Sequence, residues 1–251
     1  MKTFYSLDSL PKGPFIFTLG MFDGVHKGHQ KIFQKMKDLS SKHSHKTLLV
    51  TFSNPPGTLL NQTSKQWITS LEHKLILFES FGIDYVLQLP FTPSFSKTSY
   101  TDFLKCFSIS HLVIGERATI GYEKQGSIEA LSRLGEKNGF SLESIPLEVF
   151  GHEISSTRIR QAIQQGNFPE ITHLLGRPYS LYFSLCSHAV LPHKYFTLPP
   201  DGIYPVHIQT EEEIIPSHLS IKTYRNKKNL RVFPHIKKPC FCIFSKPSFK
   251  R

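Results

Sequence analysis

Long apolar runs are missing from this chain of 251 residues. None approaches the roughly 20 residues that a bilayer-spanning helix needs. The N-terminus also lacks the charged, apolar and small-residue order of a secretory signal. Both absences point to a cytoplasmic protein with no membrane role. Cysteine is scarce: Cys106, Cys186, Cys240 and Cys242 are scattered, which excludes a disulfide framework. A pair two residues apart is not four-ligand zinc spacing either, so Cys240–Cys242 reads as a piece of strand. Acidic residues stop at Glu213, whereas Lys222, Arg225, Lys227, Lys228, Arg231, Lys237 and Lys238 follow. Of the net charge of +11, residues 181–251 hold +7 and residues 1–180 hold +4. A basic end attracts anions, yet no nucleic-acid-binding motif accompanies it. The favoured reading is a solvated basic surface or a phosphate-rich small-molecule substrate, not nucleic acid. Internal repeats and low-complexity linkers are also absent. What is present is a hydrophobic fraction of 39%, enough to bury a core, in a length that suits one large domain or a medium and a smaller one.

Along the first 180 residues, short apolar runs alternate with helical patterns. Phe15–Leu19, ending at Gly20, suits a buried parallel strand. Ile32, Phe33, Met36 and Leu39 recur at helical spacing, which predicts a helix from His26 to about Lys42. Strands are expected at Thr47–Phe52, Asp84–Leu89, His111–Ile114 and Ser141–Ile145. Thr69-Ser-Leu-Glu72 has the form of a capping box opening a helix to about Phe81. Further helices are expected at Tyr100–Phe107, at Ser127–Asn138 before Gly139, and at Ser156–Gln165 before Gly166. This alternation predicts a doubly wound α/β domain with a mostly parallel sheet, whose ligands sit at the carboxyl ends of the strands. Beyond Gly176-Arg-Pro-Tyr179 the pattern changes to short β-type runs: Tyr182–Leu185, Ile203–Ile208, Leu230–Phe233 and Cys240–Phe244. The expectation is an α/β domain over 1–180 and a small β domain, an incomplete barrel, over 181–251.

Two motifs carry chemistry. In Gly20-Met-Phe22-Asp23-Gly24-Val-His26-Lys-Gly28-His29, the imidazoles of His26 and His29 are three apart, on one face of a helix's first turn. Gly24 permits a tight strand-to-helix turn, and Gly28 keeps bulk away. The helix start adds free N–H groups and its positive dipole end. Such a mouth suits nucleotidyl transfer, in which charge builds on a phosphate chain. An H-x-G-H string alone is weak; placed directly after the first strand it gains weight. The second motif is Ile154-Ser155-Ser156-Thr157-Arg158-Ile-Arg160. Its hydroxyls can cap a helix, or they can join Arg158 and Arg160 around one anion. Asp23 is open to two readings, a metal ligand or a brace for the turn.

Gly20–His29 resembles the G-x-F-D-G-x-H-x-G-H signature of prokaryotic bifunctional riboflavin kinase/FMN adenylyltransferases, the FAD synthetases. Ile154–Arg160 resembles their I-S-S-T-R-I-R segment, and Leu174-Leu-Gly-Arg-Pro-Tyr-Ser180 the junction to their kinase module. The resemblance runs from about residue 14 to 180. It implies an HxGH-type nucleotidyltransferase that uses Mg2+, ATP and FMN and releases pyrophosphate. His26, His29 and Arg160 would be the catalytic residues. Gly20, Phe22, Asp23, Gly24, Gly28, Ser155, Ser156, Thr157 and Arg158 would line the ATP phosphates.

The chain departs from the family in three places. Gly115-Glu-Arg-Ala118-Thr-Ile120-Gly121 stands where the family has G-[DE]-[DN]-F-x-F-G, and Phe52-Ser-Asn54-Pro55-Pro56 where it has F-x-P-H-P. Both loops are expected to shape the flavin and adenine pockets, so the FMN-contacting residues near Gly115 and Gly121 stay unassigned. In the C-terminal part no glycine lies between Gly176 and Gly202 and no P-T-A-N occurs, although Leu198-Pro-Pro-Asp-Gly-Ile-Tyr204 resembles L-P-P-x-G-x-Y. Arg231 stands where the kinase glutamate is expected, so riboflavin kinase activity is expected to be lost. Two other readings stay open: an HxGH adenylyltransferase for another acceptor, and a catalytically weak flavin- or nucleotide-binding module with a basic tail. Oligomeric state is not legible in the sequence.

Overall fold

The structure is a computed structural model. It describes residues 1–54, 66–146, 148–149, 152–183, 196–224, 227–233 and 240–244, with the backbone alone at 148–149, 152–153, 183, 224, 227–229 and 231–233. Pro55, Pro56, Cys186, Arg225, Lys237 and Lys238 therefore lie outside the described residues, as does the end of the strand expected at Tyr182–Leu185. The chain divides into two compact units. One comprises Met1–Phe22, Gly28–Lys65 and Ile76–Glu153; the other comprises Asp23–Lys27, Gln66–Leu75 and Ile154–Arg251.

The first unit is built on β1 (Lys2–Phe4), β2 (Phe15–Leu19), α1 (Lys27–His43), β3 (Lys46–Phe52), α2 (Leu71–Ser80) and β4 (Tyr85–Leu89). It continues through α3 (Tyr100–Leu104), β5 (Ile109–Gly115), α4 (Ile128–Asn138), β6 (Ser141–Ile145) and a two-residue hairpin, β7 (Glu148–Val149) with β8 (His152–Glu153). α1 and α2 each begin in a segment that belongs to the second unit. Six strands form one sheet in the order β1-β4-β3-β2-β5-β6, and every pairing in it is parallel. Parallel sheets carry helices on both faces, which demands strands apolar throughout. Accordingly β2 is buried from Phe15 to Thr18, and β3 from Thr47 to Phe52. Phe17, Leu48, Val50, Leu87, Leu112 and Ile114 form one core with Phe103, Phe107, Leu131 and Phe140.

Caps set the helix limits. Ser127 accepts from the Ala130 N–H at the start of α4, and Gly139, left-handed at φ 77°, closes it. The capping box expected at Thr69–Glu72 is displaced by one residue. α2 starts at Leu71, and the Ser70 hydroxyl accepts from the His73 N–H, while Thr69 turns elsewhere, as described below. β1 was not legible in advance. It is a three-residue edge strand with only Phe4 buried, too short to show a period.

The second unit holds α5 (Ser156–Gln165), α6 (Phe168–Leu175), β9 (Ser180–Phe183), β10 (Gly202–Gln209), β11 (Ile214–Tyr224), β12 (Lys227–Phe233) and β13 (Cys240–Phe244). α6 is not among the expected helices although its signals are present: Asn167 caps it, Pro169 sits in its first turn and Gly176 ends it in the left-handed region. The five strands form an antiparallel sheet in the order β12-β11-β10-β13-β9, an open sheet in keeping with an incomplete barrel. Cys240, Cys242 and Phe244 alternate inward along β13. Among the described residues no helix is long and apolar enough to cross a membrane.

Candidate active site

β2 ends at Leu19, and the chain turns through Gly20–His26 before α1 begins. The turn is bent to an uncommon degree. Phe22 and Val25 have φ of 48° and 42°, and Gly24 has φ of 82°. Only glycine takes this region cheaply; a non-glycine residue there costs about 1–3 kcal/mol, and a β-branched one is a true outlier. A turn of that kind persists only if its surroundings hold it.

Within the first unit the holding group is the Phe22 ring. It packs against Phe33 and Phe78, at 5.2 and 6.0 Å between ring centroids, and edge-on to the His29 imidazole at 5.1 Å. Gly20 makes room for this, since a Cβ there would stand 3.2 Å from the Phe22 ring. His29 lies in the first turn of α1, which carries no acidic residue, so the positive end of the helix is not offset by its own side chains.

Within the second unit side chains meet the carbonyls of Asp23, Gly24 and Val25 and the N–H of Gly24. Ser156 Oγ donates to the Asp23 carbonyl at 2.9 Å. Arg177 donates to the Gly24 carbonyl at 2.8 Å and the Val25 carbonyl at 3.1 Å. The Gly24 N–H donates to Thr69 Oγ1 at 3.1 Å. The Asp23 side chain, 3% exposed, accepts from the backbone N–H of Ile68 and Thr69 and from the Thr69 hydroxyl. It also forms an ion pair with Arg160 Nη2, while Arg160 Nε donates to the Gln66 carbonyl at 2.7 Å. Among the described residues, the groups that hydrogen-bond the Asp23 oxygens are all donors, the pattern an ionised carboxylate requires. Burial pushes this carboxyl up, and Arg160, the Thr69 N–H and Lys74 pull it back.

The remaining residues of the second motif take other places. Ser155 caps α5 by accepting from the Arg158 N–H, and Arg158 Nε donates to Glu170 at 2.8 Å. Thr157 is exposed. The structure thus brings together Asp23, Gly24, Ser156 and Arg160, and it engages Arg158 with Glu170. Burial, followed by the Arg177 charge, lowers the His26 imidazole to about 4. His26 is therefore neutral near pH 7 and presents a single N–H. Asp23 does not fit a metal-ligand role, because its oxygens are committed to donors. Among the described residues no three His, Cys, Asp or Glu side chains are arranged to hold an ion.

The sequence model of the FAD synthetase family matches residues 10–158. The chain belongs to the FAD synthetase family. It is 34% identical over 173 residues to a bifunctional riboflavin kinase/FMN adenylyltransferase of Buchnera aphidicola, an alignment covering 66% of this chain and 55% of that one. It is 28% identical over 207 residues to a FAD synthetase of Listeria monocytogenes, covering 80% and 82%. The chain spans about half the length of these bifunctional relatives. Among solved structures, one titled macrolide-efflux protein from Streptococcus pneumoniae superposes with a TM-score of 0.80 at 20% identity, over 97% of this chain and 89% of that one. That likeness concerns the fold alone.

Measured against the family pattern, the altered loops have a structural account. Ala118 and Ile120 stand where the family has aromatics, and both pack on the core of the first unit. A Cβ at Gly121, whose φ is 83°, would lie 2.4 Å from the Tyr100 nitrogen, so this glycine is sterically required. Asn54 brackets one residue: its Oδ1 accepts from the Phe91 N–H and its Nδ2 donates to the Phe91 carbonyl, both at 2.8 Å. Sequence reading missed Thr69, Lys74 and Arg177 as parts of the site. Arg177 was within reach, since it lies in the third family motif. Thr69 and Lys74 belong to a helix start that reads as ordinary capping.

Proposed function

We propose that this chain is an FMN adenylyltransferase. A phosphate oxygen of FMN attacks the α-phosphorus of ATP, the bond from that phosphorus to the bridging oxygen breaks, and pyrophosphate leaves with FAD as product. The observation that carries this reading is the strained Gly20–His26 turn, with Arg160 anchored on Asp23 three residues before His26. A turn held at such a backbone cost is expected at a functional site. On this reading His26 lends an uncharged N–H and His29 a second imidazole, while Arg160 supplies positive charge through Nη1, which takes part in neither of its anchoring bonds. Gly20, Phe22, Asp23, Gly24, Gly28, Ser155, Ser156, Thr157 and Arg158 shape the phosphate surroundings, Asp23 and Ser156 by bracing the turn. Mg2+ enters as the ion that ATP carries on its phosphates.

Residues 1–180 would form the transferase domain and 181–251 a degenerate kinase-like β domain. The missing P-T-A-N and the arginine at position 231 support loss of the kinase. So does the match to most of a relative named only FAD synthetase. The altered residues Ala118 and Ile120 favour one other reading, a module that binds nucleotide without turning it over.

Purified protein given Mg-ATP and FMN should yield FAD and pyrophosphate by chromatography. His29→Ala should slow this at least about a hundredfold, the scale of one lost transition-state donor, and riboflavin should give no FMN. Binding of both substrates with no FAD formed would replace the reading by the binding module. Phosphorylation of riboflavin at a comparable rate would overturn the account of 181–251.

A further inference from the structure

Arg177 follows Gly176, whose left-handed φ of 71° ends α6. From there its guanidinium reaches two places at once. Nη1 donates to the Leu175 carbonyl at 3.3 Å, in the last turn of α6, and to the Val25 carbonyl at 3.1 Å. Nη2 donates to the Gly24 carbonyl at 2.8 Å. A cation is favoured at the negative end of a helix, and burial lowers Arg177 only to about 10, so it stays charged near neutral pH. Among the described residues no acid pairs with it, and its Nε is buried without an acceptor. The fork is therefore oriented by carbonyls and not by a carboxylate. Those carbonyls belong to residues that need holding. Gly24 and Val25 have φ of 82° and 42°, the Val25 side chain is fully buried, and His26 follows directly. A β-branched residue in that region relaxes unless its surroundings fix it.

We propose that Arg177 is a positioning residue: its guanidinium fork clamps the Gly24 and Val25 carbonyls to the carboxyl end of α6 and thereby sets the place of His26 in the transfer site. Thr69 holds the Gly24 N–H and Ser156 the Asp23 carbonyl, both further from His26 along the chain. Arg177 spans the two peptide units that lead directly into it. The fork matters beyond its charge. A guanidinium is planar, with donors at fixed angles, so two carbonyls are held in one geometry; an ammonium is a point charge on a flexible stem and fixes neither.

The proposal rests on the adenylyltransferase reading for its kinetic test and on NMR for its independent one. In Arg177→Ala, kcat for FAD formation should fall about a hundredfold, the scale of a catalytic group displaced by about 1 Å, with KM for ATP unchanged. Arg177→Lys, which keeps the charge without the fork, should stay close to the alanine variant. Guanidinium ion at sub-denaturing concentration should restore kcat in Arg177→Ala, and methylammonium should not. An unchanged kcat, or equal rescue by methylammonium, would overturn the proposal. In the same proteins the Gly24 and Val25 carbonyl carbons and the His26 ring carbons, followed by 13C NMR, should move, while the ring carbons of His111 in the first unit stay. If no FAD forms, this arm decides: unmoved Val25 and His26 signals would overturn the proposal. If neither variant folds, the wild-type protein decides. A fork held on both arms cannot rotate, so Arg177 should give separate Nη1 and Nη2 signals by 15N NMR. A single averaged signal would overturn it.

Discussion

Asp23 and Asp84 are both acids in turns beside a strand of the parallel sheet, and each is paired with a cation, yet their carboxyls are pushed in opposite directions. Asp84 keeps 24% of its side chain exposed and accepts from Lys46, itself 62% exposed, and from the N–H and hydroxyl of Thr47. Partial burial would raise it, but these bonds outweigh that and hold it low. Asp23 has more donors and is still raised, because nearly all its water has been removed. The lesson is that pairing alone does not settle a carboxylate; the water left around it does. At Asp84 the pair is surface trim. At Asp23 the ionised state depends on every neighbour, which is the condition for a site sensitive to its own residues.

Removing Asp23 should have the largest effect. Asp23→Ala leaves Arg160 without its acid and strips partners from Ile68 and Thr69, so denaturant unfolding should show a loss of about 3–5 kcal/mol. A loss no greater than that of Asp84→Ala would break the comparison.

Acid should come next. His26 is lowered from 6.5 to about 4, so between those values the unfolded chain binds the extra proton and stability falls as pH falls. The His26 share is at most roughly 3 kcal/mol. Buried His73 acts in the same sense, while Asp23, raised, acts in the other. His26→Asn isolates the His26 share: its stability should fall less steeply than wild type between pH 6.5 and 4. Asp84 stays ionised through most of that window. Its lowered carboxyl contributes stability that is present above 3.8 and lost as pH falls further. Equal slopes in the two proteins would mean that His26 is not buried as described.

The smallest effects belong to the exposed pair. Asp84→Ala should cost about 1 kcal/mol, the scale of its bonds to Thr47. Lys46→Ala should move the thermal midpoint by only ~1 °C, since solvent screens its charge.

Much of the first unit was legible because burial on both faces forces continuous apolar runs, and because Ser127 and Gly139 mark the ends of α4; in the second unit Ser155 and Gly166 do the same for α5. β11, with eleven residues, was not legible. Its stretch alternates weakly and contains Pro216, and only pairing with β10 and β12 makes it a strand. The capping error at Thr69 has the same origin. Thr69 and Ser70 are equivalent as local caps, and the choice between them is made by Asp23 and Gly24, 46 and 45 residues away.

By itself, then, the chain's order of residues determined the parallel sheet, the position of the two histidines at the mouth of α1 and the kinship with FAD synthetases, because these depend on periodicity, on caps and on contiguous motifs. Tertiary structure alone decided that Asp23 serves Arg160, that Ser156 and Arg177 hold the backbone of the Asp23–Val25 turn, and that Lys74 is buried. Those outcomes depend on which groups lose water together, and desolvation is a property of packing that no single stretch of sequence contains.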